Sequence, residues 1–286
     1  MMPEKKIDNE VAQWFKKNKR DLPWRKTDSW GILVSEFMLQ QTPVNRVLPV
    51  YKQWMQKWPT AADLAKATPA EVITAWGRLG YPRRALRLHE CAKEITSQHG
   101  GKIPTTESEL RALPGVGEYT AAAMVAFAFS KRSLVLDINI RRFFARLYDG
   151  VQSPTNSATK EEKARYESLI PKKNPHIWAA ATMELGALIC TSQSPKCALC
   201  PVSAQCLWRS LDYPQSEVVK RRQTWHGTDR QCRGMIVQSL RENEILTRAQ
   251  IQELWDVPSQ LEKAILTLLD DGLIEARGKN KFSLPR

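Results

Sequence analysis

The sequence predicts a mostly helical protein of 286 residues that ends in a small region of mixed helix and strand. Three observations lead to this fold class. Apolar residues recur at spacings of three and four along most of the chain, as they do on one face of a helix. Prolines and glycines separate these segments, and residues 272–284 alternate with the period of two that is typical of strands. The body is therefore predicted to be all-α.

The helical segments follow one another along the chain. The first is marked by Val11, Trp14 and Phe15, and the others are predicted at Trp30–Gln41, Val44–Lys57, Pro69–Leu79, Arg83–His99, Glu107–Leu113, Glu118–Phe129, Ile138–Tyr148, Glu161–Ile170 and Ile177–Ile189. Near the carboxyl end, helices are predicted at Asp229–Leu240, Thr247–Leu254 and Ser259–Asp270, before a hairpin over 272–284. Three helices and a hairpin are typical of a small winged helix, and a plain packing module is the alternative interpretation.

A polar, proline-containing stretch over 211–222 separates these two parts and predicts a boundary near residue 216. We expect one domain over 1–216 and a second over 217–286. The net charge is +13, of which +11 lies on residues 1–216. A surplus of this size suggests that the first domain binds a polyanion.

Composition argues against membrane and secreted proteins. The longest uninterrupted apolar run, Ala121–Phe129, is about half as long as a membrane span. The charged start of the chain, MMPEKKIDNE, lacks the apolar stretch of a secretory signal. We therefore expect a cytoplasmic protein with no membrane partner, in which disulfides do not explain the six cysteines.

Four of the cysteines have the spacing of a metal site. Cys190, Cys197, Cys200 and Cys206 form C-x6-C-x2-C-x5-C within 17 residues. Zinc and an iron–sulfur cluster both take four thiolates, and chance clustering is a third interpretation. Zinc sites more often pair two CxxC units, whereas this chain has one. The remaining thiols, Cys91 and Cys232, are predicted to be buried.

A second motif is a candidate phosphate site. Thr106-Glu-Ser-Glu109 has the form of a capping box, and the helix that it begins leads into Leu113-Pro-Gly-Val-Gly117 and a second, alanine-rich helix. Backbone N–H groups at Gly115, Val116 and Gly117 could approach a phosphate closely at the start of that second helix. An ordinary helical connection is the alternative.

Two carboxylates lie in apolar surroundings. Glu36 has Leu33 one turn before it and Leu39 one turn after it, so the carboxyl group is expected to lose water and to have a raised pKa. Asp137 precedes a predicted helix and is also expected to be its N-cap. Cleavage of a glycosidic bond uses such a pair, one group as proton donor and one as stabilising anion. Pairing of Glu36 with an arginine is the alternative.

Together these motifs resemble the helix-hairpin-helix DNA glycosylases that carry an iron–sulfur cluster, and among them the MutY-type adenine glycosylases. The similarity runs over about residues 8–210 and rests on Leu22-Pro-Trp-Arg25, Ser35-Glu-Phe-Met-Leu-Gln-Gln-Thr42, Gly80-Tyr81, Leu113-Pro-Gly-Val-Gly117, Asp137-x-Asn139, Glu184-Leu-Gly-Ala187 and the four cysteines. The resemblance implies two helical subdomains, a [4Fe-4S] cluster in the loop 190–206, and removal of adenine mispaired with 8-oxoguanine or guanine.

The resemblance also implies roles for single residues. Glu36 would protonate the purine, Asp137 would stabilise the sugar cation, Asn139 would orient the carboxylates, and Tyr119 would line the pocket. The bifunctional relatives have a lysine at the position of Tyr119 that forms a Schiff base, which tyrosine cannot do. The resemblance therefore implies a monofunctional enzyme.

Further residues would contact double-stranded DNA around the extruded base, since a base must leave the duplex to be cut. They are Trp24, Arg25, Gln41, Leu79 and Tyr81, with Gln41 filling the vacated stack. Ordinary packing or interhelical hydrogen bonds are the alternative for each. We expect the protein to be a monomer that associates with the nucleoid.

The sequence departs from the family pattern at several positions. Pro82 replaces a second aromatic residue, Ile138 replaces a glycine, and Ala180 stands where a Glu or Gln is frequent. The C-terminal region is also shorter than the domain that reads 8-oxoguanine. Two other functions therefore stay open, a thymine or uracil mismatch glycosylase and a DNA-binding protein without catalysis.

Overall fold

The structure is a computed structural model that describes residues 4–215 and 225–286, with residues 4 and 5 described by their backbone only. The predicted domain boundary near residue 216 lies outside the described residues, as does most of the predicted linker. No helix of the described part is both long and apolar enough to cross a membrane.

The fold is mostly helical, as predicted. The α-helices of the described residues are α1 Glu4–Asn18, α2 Ser29–Leu39, α3 Val44–Lys57, α4 Ala61–Ala65, α5 Pro69–Trp76, α6 Arg83–Gln98, α7 Glu107–Ala112, α8 Glu118–Phe127, α9 Ile138–Phe144, α10 Lys160–Ser168, α11 Pro175–Leu188, α12 Leu207–Ser210, α13 Asp229–Glu242, α14 Arg248–Gln252 and α15 Pro258–Asp270. The strands are β1 Leu246–Thr247, β2 Glu275–Ala276 and β3 Lys281–Ser283.

Several ends and short elements differ from the prediction. The helix predicted at Ile138–Tyr148 is α9 followed by a π-helical turn at Ala145–Asp149. The helix predicted at Pro69–Leu79 is α5 followed by a 3-10 helix at Gly77–Leu79. Short 3-10 helices at Pro23–Arg25, Cys197–Leu199 and Ser203–Gln205 were not predicted, nor were α4 and α12. These elements are too short to show a helical period in the sequence.

The described residues divide into two compact units. The first unit comprises 4–32, 105–112 and 116–215, and the second comprises 33–104, 113–115 and 225–286. The apolar core of the first unit is formed by α1, α8, α9 and α11. The Phe144 ring lies at its centre, 6.0 Å from the Trp178 ring and 4.9 Å from the Tyr166 ring.

Tryptophans dominate the core of the second unit. The ring of Trp54 lies 4.7 Å from that of Trp58 and 5.6 Å from that of Trp76, in edge-to-face contacts that aromatic pairs favour. All three side chains are buried. These tryptophans therefore belong to the apolar core.

The C-terminal region of the second unit runs in the order helix, strand, helix, helix, strand, strand, which is the order of a winged helix. Its antiparallel sheet has the strand order β1-β3-β2, and the predicted hairpin is formed by β2 and β3. The core of this region includes Cys232 and also Ile73 of α5. Arg241 Nε donates to the carbonyl oxygen of Ile73 at 3.1 Å, so α13 is anchored on α5.

Candidate active site

Asp137 lies at the start of α9 and is held by two donors. The backbone N–H of Ile140 donates to Asp137 Oδ1 at 2.7 Å, which is the predicted N-cap. Asn139 Nδ2 donates to the other oxygen, Oδ2, also at 2.7 Å. The carboxylate is thereby fixed in orientation by two bonds from its own helix.

A third residue holds Asn139 in turn. Arg142 Nη2 donates to Asn139 Oδ1 at 2.9 Å and to the carbonyl oxygen of Gly186 at 2.6 Å. Its Nε donates to the carbonyl oxygen of Cys190 at 2.7 Å. A continuous chain of hydrogen bonds therefore joins Asp137 to the cysteine loop through Asn139 and Arg142.

The pKa of Asp137 is subject to opposing effects. Burial raises the pKa of this carboxyl group above its ordinary value, while the Ile140 N–H, the Asn139 amide and the charge of Arg142 each lower it. The net shift is upward. The Asn139 amide and the charge of Arg142 therefore favour the anion at a place where burial alone would favour the acid.

The Glu184-Leu-Gly-Ala187 motif supports this arrangement from α11. A Cβ at Gly186 would lie 2.5 Å from the carbonyl oxygen of Asn139, closer than side-chain carbons come in proteins. Only glycine leaves room for α9 at this point. The motif thus allows the backbone of Asn139 and that of α11 to meet.

Glu184 itself forms a buried ion pair with two arginines. Arg20 Nη2 lies 2.7 Å and Arg25 Nη2 lies 3.0 Å from Glu184 Oε2. Burial raises the pKa of Glu184, but the bonds from Arg20 and Arg25 outweigh it and leave the pKa below its ordinary value. Arg25 is thus engaged in the interhelical contact that was its alternative role, and a contact with DNA stays a prediction for it.

The other residues predicted for the pocket are distributed over both units. Tyr119 is the second residue of α8 and is partly buried against the core of the first unit. Trp24 lies in the 3-10 helix Pro23–Arg25 and is also partly buried. Glu36 lies on α2 in the second unit with 6% of its surface exposed, so the carboxyl group is buried, as the sequence predicts. Its placement opposite Asp137 stays a prediction.

The two glycines of the hairpin, Gly115 and Gly117, have different surroundings. Gly115 has φ +77°, and a Cβ there would lie 2.8 Å from atoms of both Arg87 and Phe37, so no other residue fits. Gly117 is the N-cap of α8, with open space around it and no side-chain cap among the described residues. Val116 between them is buried. Of the predicted capping box the first bond is present, since the Glu109 N–H donates to Thr106 Oγ1 at 3.3 Å, but the Glu109 carboxylate accepts from the Thr106 hydroxyl and not from its backbone N–H.

Gln41 and Tyr81 are both exposed at turns with left-handed backbone. Their φ angles are +56° and +49°, which non-glycine residues seldom adopt. Strained backbone of this kind is frequent at functional sites. Insertion of Gln41 into the DNA stack and contact of Tyr81 with DNA stay predictions.

One arginine binds both turns. Arg84 Nη1 donates to the carbonyl oxygens of Phe37 at 2.9 Å and Met38 at 3.1 Å, and also to that of Gln40. Arg84 Nη2 donates to Gly80 O at 3.0 Å and to Leu79 O at 3.5 Å, and also reaches Thr42 Oγ1 at 2.8 Å. The planar guanidinium fork is suited to such a double contact. Arg84 thus links the end of α2 to the predicted DNA residues Leu79 and Tyr81.

The four predicted cysteine ligands line one small, mostly apolar cavity in the first unit. Burial, with smaller effects from the neighbouring thiols, raises the pKa of Cys200 to about 12. Arg146 Nη1 lies 3.4 Å from Cys190 Sγ, where it would stabilise a thiolate. No set of three or more His, Cys, Asp or Glu side chains in the described ranges has the arrangement of a single-ion site. The shared cavity and the cationic donor fit a group bound by four thiolates.

Comparison with known proteins assigns the chain to a family. Residues 34–170 match the family described as HhH-GPD superfamily base excision DNA repair protein. The chain is 44% identical over 279 residues to the adenine DNA glycosylase of Mycolicibacterium smegmatis, an alignment that covers 96% of this chain and 94% of that protein. This chain belongs to the HhH-GPD superfamily of base excision DNA repair proteins. The adenine DNA glycosylase of Mycobacterium tuberculosis is 42% identical over 284 residues, with 97% and 93% covered.

More distant members of the HhH-GPD superfamily match part of the chain. The human adenine DNA glycosylase is 39% identical over 207 residues, which are 68% of this chain and 38% of that protein. Among solved structures, a thermostable thymine-DNA glycosylase has a TM-score of 0.66 and 29% identity, with 72% of this chain and 97% of that one covered. A non-covalent endonuclease III–DNA complex has a TM-score of 0.63 at 23% identity over 74% of this chain and 99% of that one, which shows the shared fold.

Sequence reasoning missed three arginine contacts of this HhH-GPD site. Arg142 bonds Asn139, Arg84 bonds the carbonyl oxygen of Gly80 next to Tyr81, and Arg20 bonds Glu184. None of the three arginines was singled out from the sequence. The signal available for Arg142 was its place three residues after Asn139 on one helix, where side chains meet. Arg20 lies 164 residues from its partner Glu184, and Arg84 lies up to 47 residues from the carbonyl groups that it binds. No local sequence pattern predicts contacts over such separations.

Proposed function

We propose that this HhH-GPD protein is a monofunctional DNA glycosylase that hydrolyses the N-glycosidic bond of adenine mispaired with 8-oxoguanine or guanine in duplex DNA. The observation that carries the proposal is the alignment of nearly the whole chain with relatives named adenine DNA glycosylase. The carboxylate of Asp137, which is partly buried and accepts two hydrogen bonds, supports the same reaction.

In the proposed mechanism Glu36 is the proton donor. A purine leaves as an anion unless it is protonated, and a carboxyl group that is largely removed from water keeps its proton more readily. Glu36 is 6% exposed on α2, among the buried side chains of Leu33 and Phe37. After the bond breaks, the Glu36 carboxylate accepts a proton from the attacking water.

Asp137 is the proposed stabilising anion. The sugar becomes electron-poor as the bond lengthens, and a fixed carboxylate lowers the energy of that state. Asn139 positions this carboxylate through Nδ2, while Arg142 positions Asn139. Tyr119 supplies no amine, so the proposed reaction ends at the abasic site with the strand intact.

Cys190, Cys197, Cys200 and Cys206 would hold a [4Fe-4S] cluster. When bound, the cluster would cross-link the loop 190–206 through four thiolates and supply no electrons to the hydrolysis. The support is the cavity that these cysteines share and the donor from Arg146 to Cys190. Iron and sulfide analysis of the purified protein, with a zinc assay beside it, separates the two candidate groups.

The decisive experiment is single-turnover excision on a panel of duplexes. They carry adenine, thymine, uracil or hypoxanthine opposite guanine or 8-oxoguanine. We expect adenine to be released, and we expect borohydride to trap no covalent adduct. Glu36→Gln and Asp137→Asn should retain binding to mispaired DNA and lose excision, because each keeps the shape of its side chain. Unchanged excision by both variants would refute the mechanism.

A second candidate is supported by one observation. The thermostable thymine-DNA glycosylase is 29% identical to this chain in the superposed part, which covers 97% of the glycosylase. Release of thymine or uracil alone in the same panel would favour that function, and binding without release of any base would favour a non-catalytic DNA-binding protein. A monomeric state and association with the nucleoid stay predictions, which sedimentation and cell fractionation can test.

A further inference from the structure

Several cations of the second unit form no ion pair with any carboxylate that the structure describes. Arg46, Arg78, Arg84 and Arg230 form no ion pair with a carboxylate of the described residues. They lie close together, since Arg46 donates to the carbonyl oxygen of Arg78. Burial and then the charges of Arg230 and Arg46 lower the pKa of Arg84 to about 10, which still leaves it a cation. A group of unpaired guanidinium ions favours an anionic ligand.

Arg230 brings the C-terminal region into this group. It is the second residue of α13, and its Cζ lies 3.9 Å from the centre of the Tyr81 ring. A Cβ at Gly80 would lie 3.8 Å from Arg230 Nη2, so the guanidinium also packs on the backbone of the turn. Arg84 lies farther from the same ring, with its Cζ at 5.6 Å. The exposed Tyr81 side chain is therefore held by cation–π contacts.

The polar edge of Arg230 remains available. Its side chain is exposed and makes no hydrogen bond to the part of the chain that the structure describes. A guanidinium that stacks by its face keeps five N–H donors in its plane, and phosphate oxygens match that fork. Trp225, with 50% of its surface exposed, extends the stack, because its ring centre lies 5.7 Å from Arg230 Cζ.

We propose that Arg230 of the C-terminal region is a positioning residue for Tyr81 and also binds a DNA phosphate beside the mispair, with Trp225 enlarging this contact surface. The proposal rests on the proposed function, since it takes the ligand to be the mispaired duplex. Exposed aromatic rings beside unpaired arginines are the combination that binds nucleic-acid bases and phosphates. The C-terminal region thereby becomes part of the substrate site.

The experiment compares Arg230→Ala and Arg230→Lys with Lys279→Ala, a matched loss of one charge at an exposed residue of the β2–β3 turn. Dissociation constants are measured with a duplex that carries adenine opposite 8-oxoguanine and with a fully paired duplex, in the Asp137→Asn background and over a series of salt concentrations. Thermal unfolding of each variant confirms that it is folded.

Arg230→Ala is expected to weaken binding of the mispaired duplex roughly tenfold and to reduce the slope of log K against log salt by about one. Lysine keeps the positive charge but has no planar guanidinium group to stack on the Tyr81 ring. Arg230→Lys should therefore keep the slope and lose most of the preference for the mispair. Lys279→Ala should change mispair binding less than twofold. Equal losses in Arg230→Ala and Lys279→Ala would show general electrostatic attraction and overturn the proposal.

The positioning role is tested by combining Arg230→Ala with Tyr81→Ala. If Arg230 acts through Tyr81, the double variant loses less binding energy than the sum of the two single variants. Additive losses would overturn the positioning role. Failure of the wild type to release adenine would contradict the proposed function and not this inference, because binding and its salt dependence are measured without excision. If the wild type releases adenine but Arg230→Ala leaves the dissociation constants unchanged, this inference alone is overturned.

Discussion

At the scale of single residues, the site depends on one carboxylate whose pKa is raised by burial and lowered by its neighbours. Burial favours the protonated form of Asp137, whereas Ile140, Asn139 and Arg142 favour the anion. The proposed reaction needs the anion, because only a negative charge stabilises an electron-poor sugar. The hydrogen bond from Asn139 and the charge of Arg142 therefore matter for the pH range of the proposed activity as well as for geometry.

Asn139→Ala should move the acid limb of the excision profile to higher pH. Loss of the 2.7 Å bond to Asp137 Oδ2 removes an influence that lowers the pKa, so the carboxylate takes up its proton earlier as the pH falls. The measurement is the single-turnover rate as a function of pH. Ile138→Ala is the matched control, because this neighbouring side chain is 55% exposed. An identical acid limb in wild type and Asn139→Ala would contradict the role of Asn139.

Gly186→Ala should destabilise the protein by about 1–3 kcal/mol, the usual cost of overpacking. The added Cβ would meet the carbonyl oxygen of Asn139 at 2.5 Å, and backbone atoms cannot rotate away. Denaturant unfolding measures the effect. Gly234→Ala in α13 is the control with the opposite sign, because a Cβ there has room and alanine favours helix by about 0.5–1 kcal/mol. Equal stability of Gly186→Ala and wild type would show that α9 and α11 can separate at no cost.

At the scale of elements, Arg84 of α6 joins two turns that are separate in sequence. Its guanidinium binds carbonyl oxygens at the end of α2 and at residues 79 and 80. The left-handed backbone at Gln41 and Tyr81 costs energy on its own, and these bonds offset part of that cost. One side chain thus fixes the turns that carry Gln41 and Tyr81, two residues that are predicted to contact DNA.

Arg84→Lys should loosen both turns together. An ammonium group cannot serve carbonyl oxygens on two sides at once, and each buried acceptor left without a donor costs about 1–3 kcal/mol. We expect lower stability and faster amide exchange in residues 40–42 and 79–81. Arg87→Lys, on the same helix, is the control, since Arg87 is exposed and pairs with Glu90. Faster exchange in only one of the two turns would contradict the joint role.

Local sequence signals predicted elements well where they were strong. Thr106 accepts the bond from the Glu109 N–H that a capping box predicts, although the Glu109 carboxylate returns its bond to the Thr106 hydroxyl and not to the backbone. Thr60 and Asp63 form a complete capping box before α4, but a helix of five residues has no apolar period that would reveal it. The π-helical turn at Ala145–Asp149 was likewise hidden, because its residues continue the pattern of α9. The existence of the longer elements was thus predictable from the sequence, whereas the existence of the shortest elements was not.

At the scale of the whole molecule, the fold class and the cysteine loop could be predicted, whereas the long-range polar contacts could not. The fold class follows from patterns repeated along the chain, but the partner of a buried charge is set by which helices meet. Arg25 illustrates this limit. Its motif indicated a contact with DNA, and the structure pairs it with Glu184, 159 residues away.

That same pair gives a test of how the first unit is held together. Removing one member of a buried ion pair leaves a charge without compensation and costs about 3–5 kcal/mol when both members are buried. The Glu184 side chain is 2% exposed, but that of Arg20 is 35% exposed, and solvent screens part of the cost. Glu184→Gln should therefore lower the free energy of unfolding at pH 7 by about 1–3 kcal/mol.

The difference between wild type and Glu184→Gln should depend on pH with a definite sign. Because the pKa of Glu184 is lowered in the folded state, its stabilisation is present above the pKa of the unfolded chain and is lost as the pH falls through the folded value. Unfolding by denaturant at neutral and acidic pH should show the two proteins converging in acid. Glu118→Gln removes an exposed pair with Lys163 and should change stability by no more than about 1 kcal/mol. A constant difference at all pH values would mean that Glu184 acts by packing, and the two arginines would then not be its energetic partners.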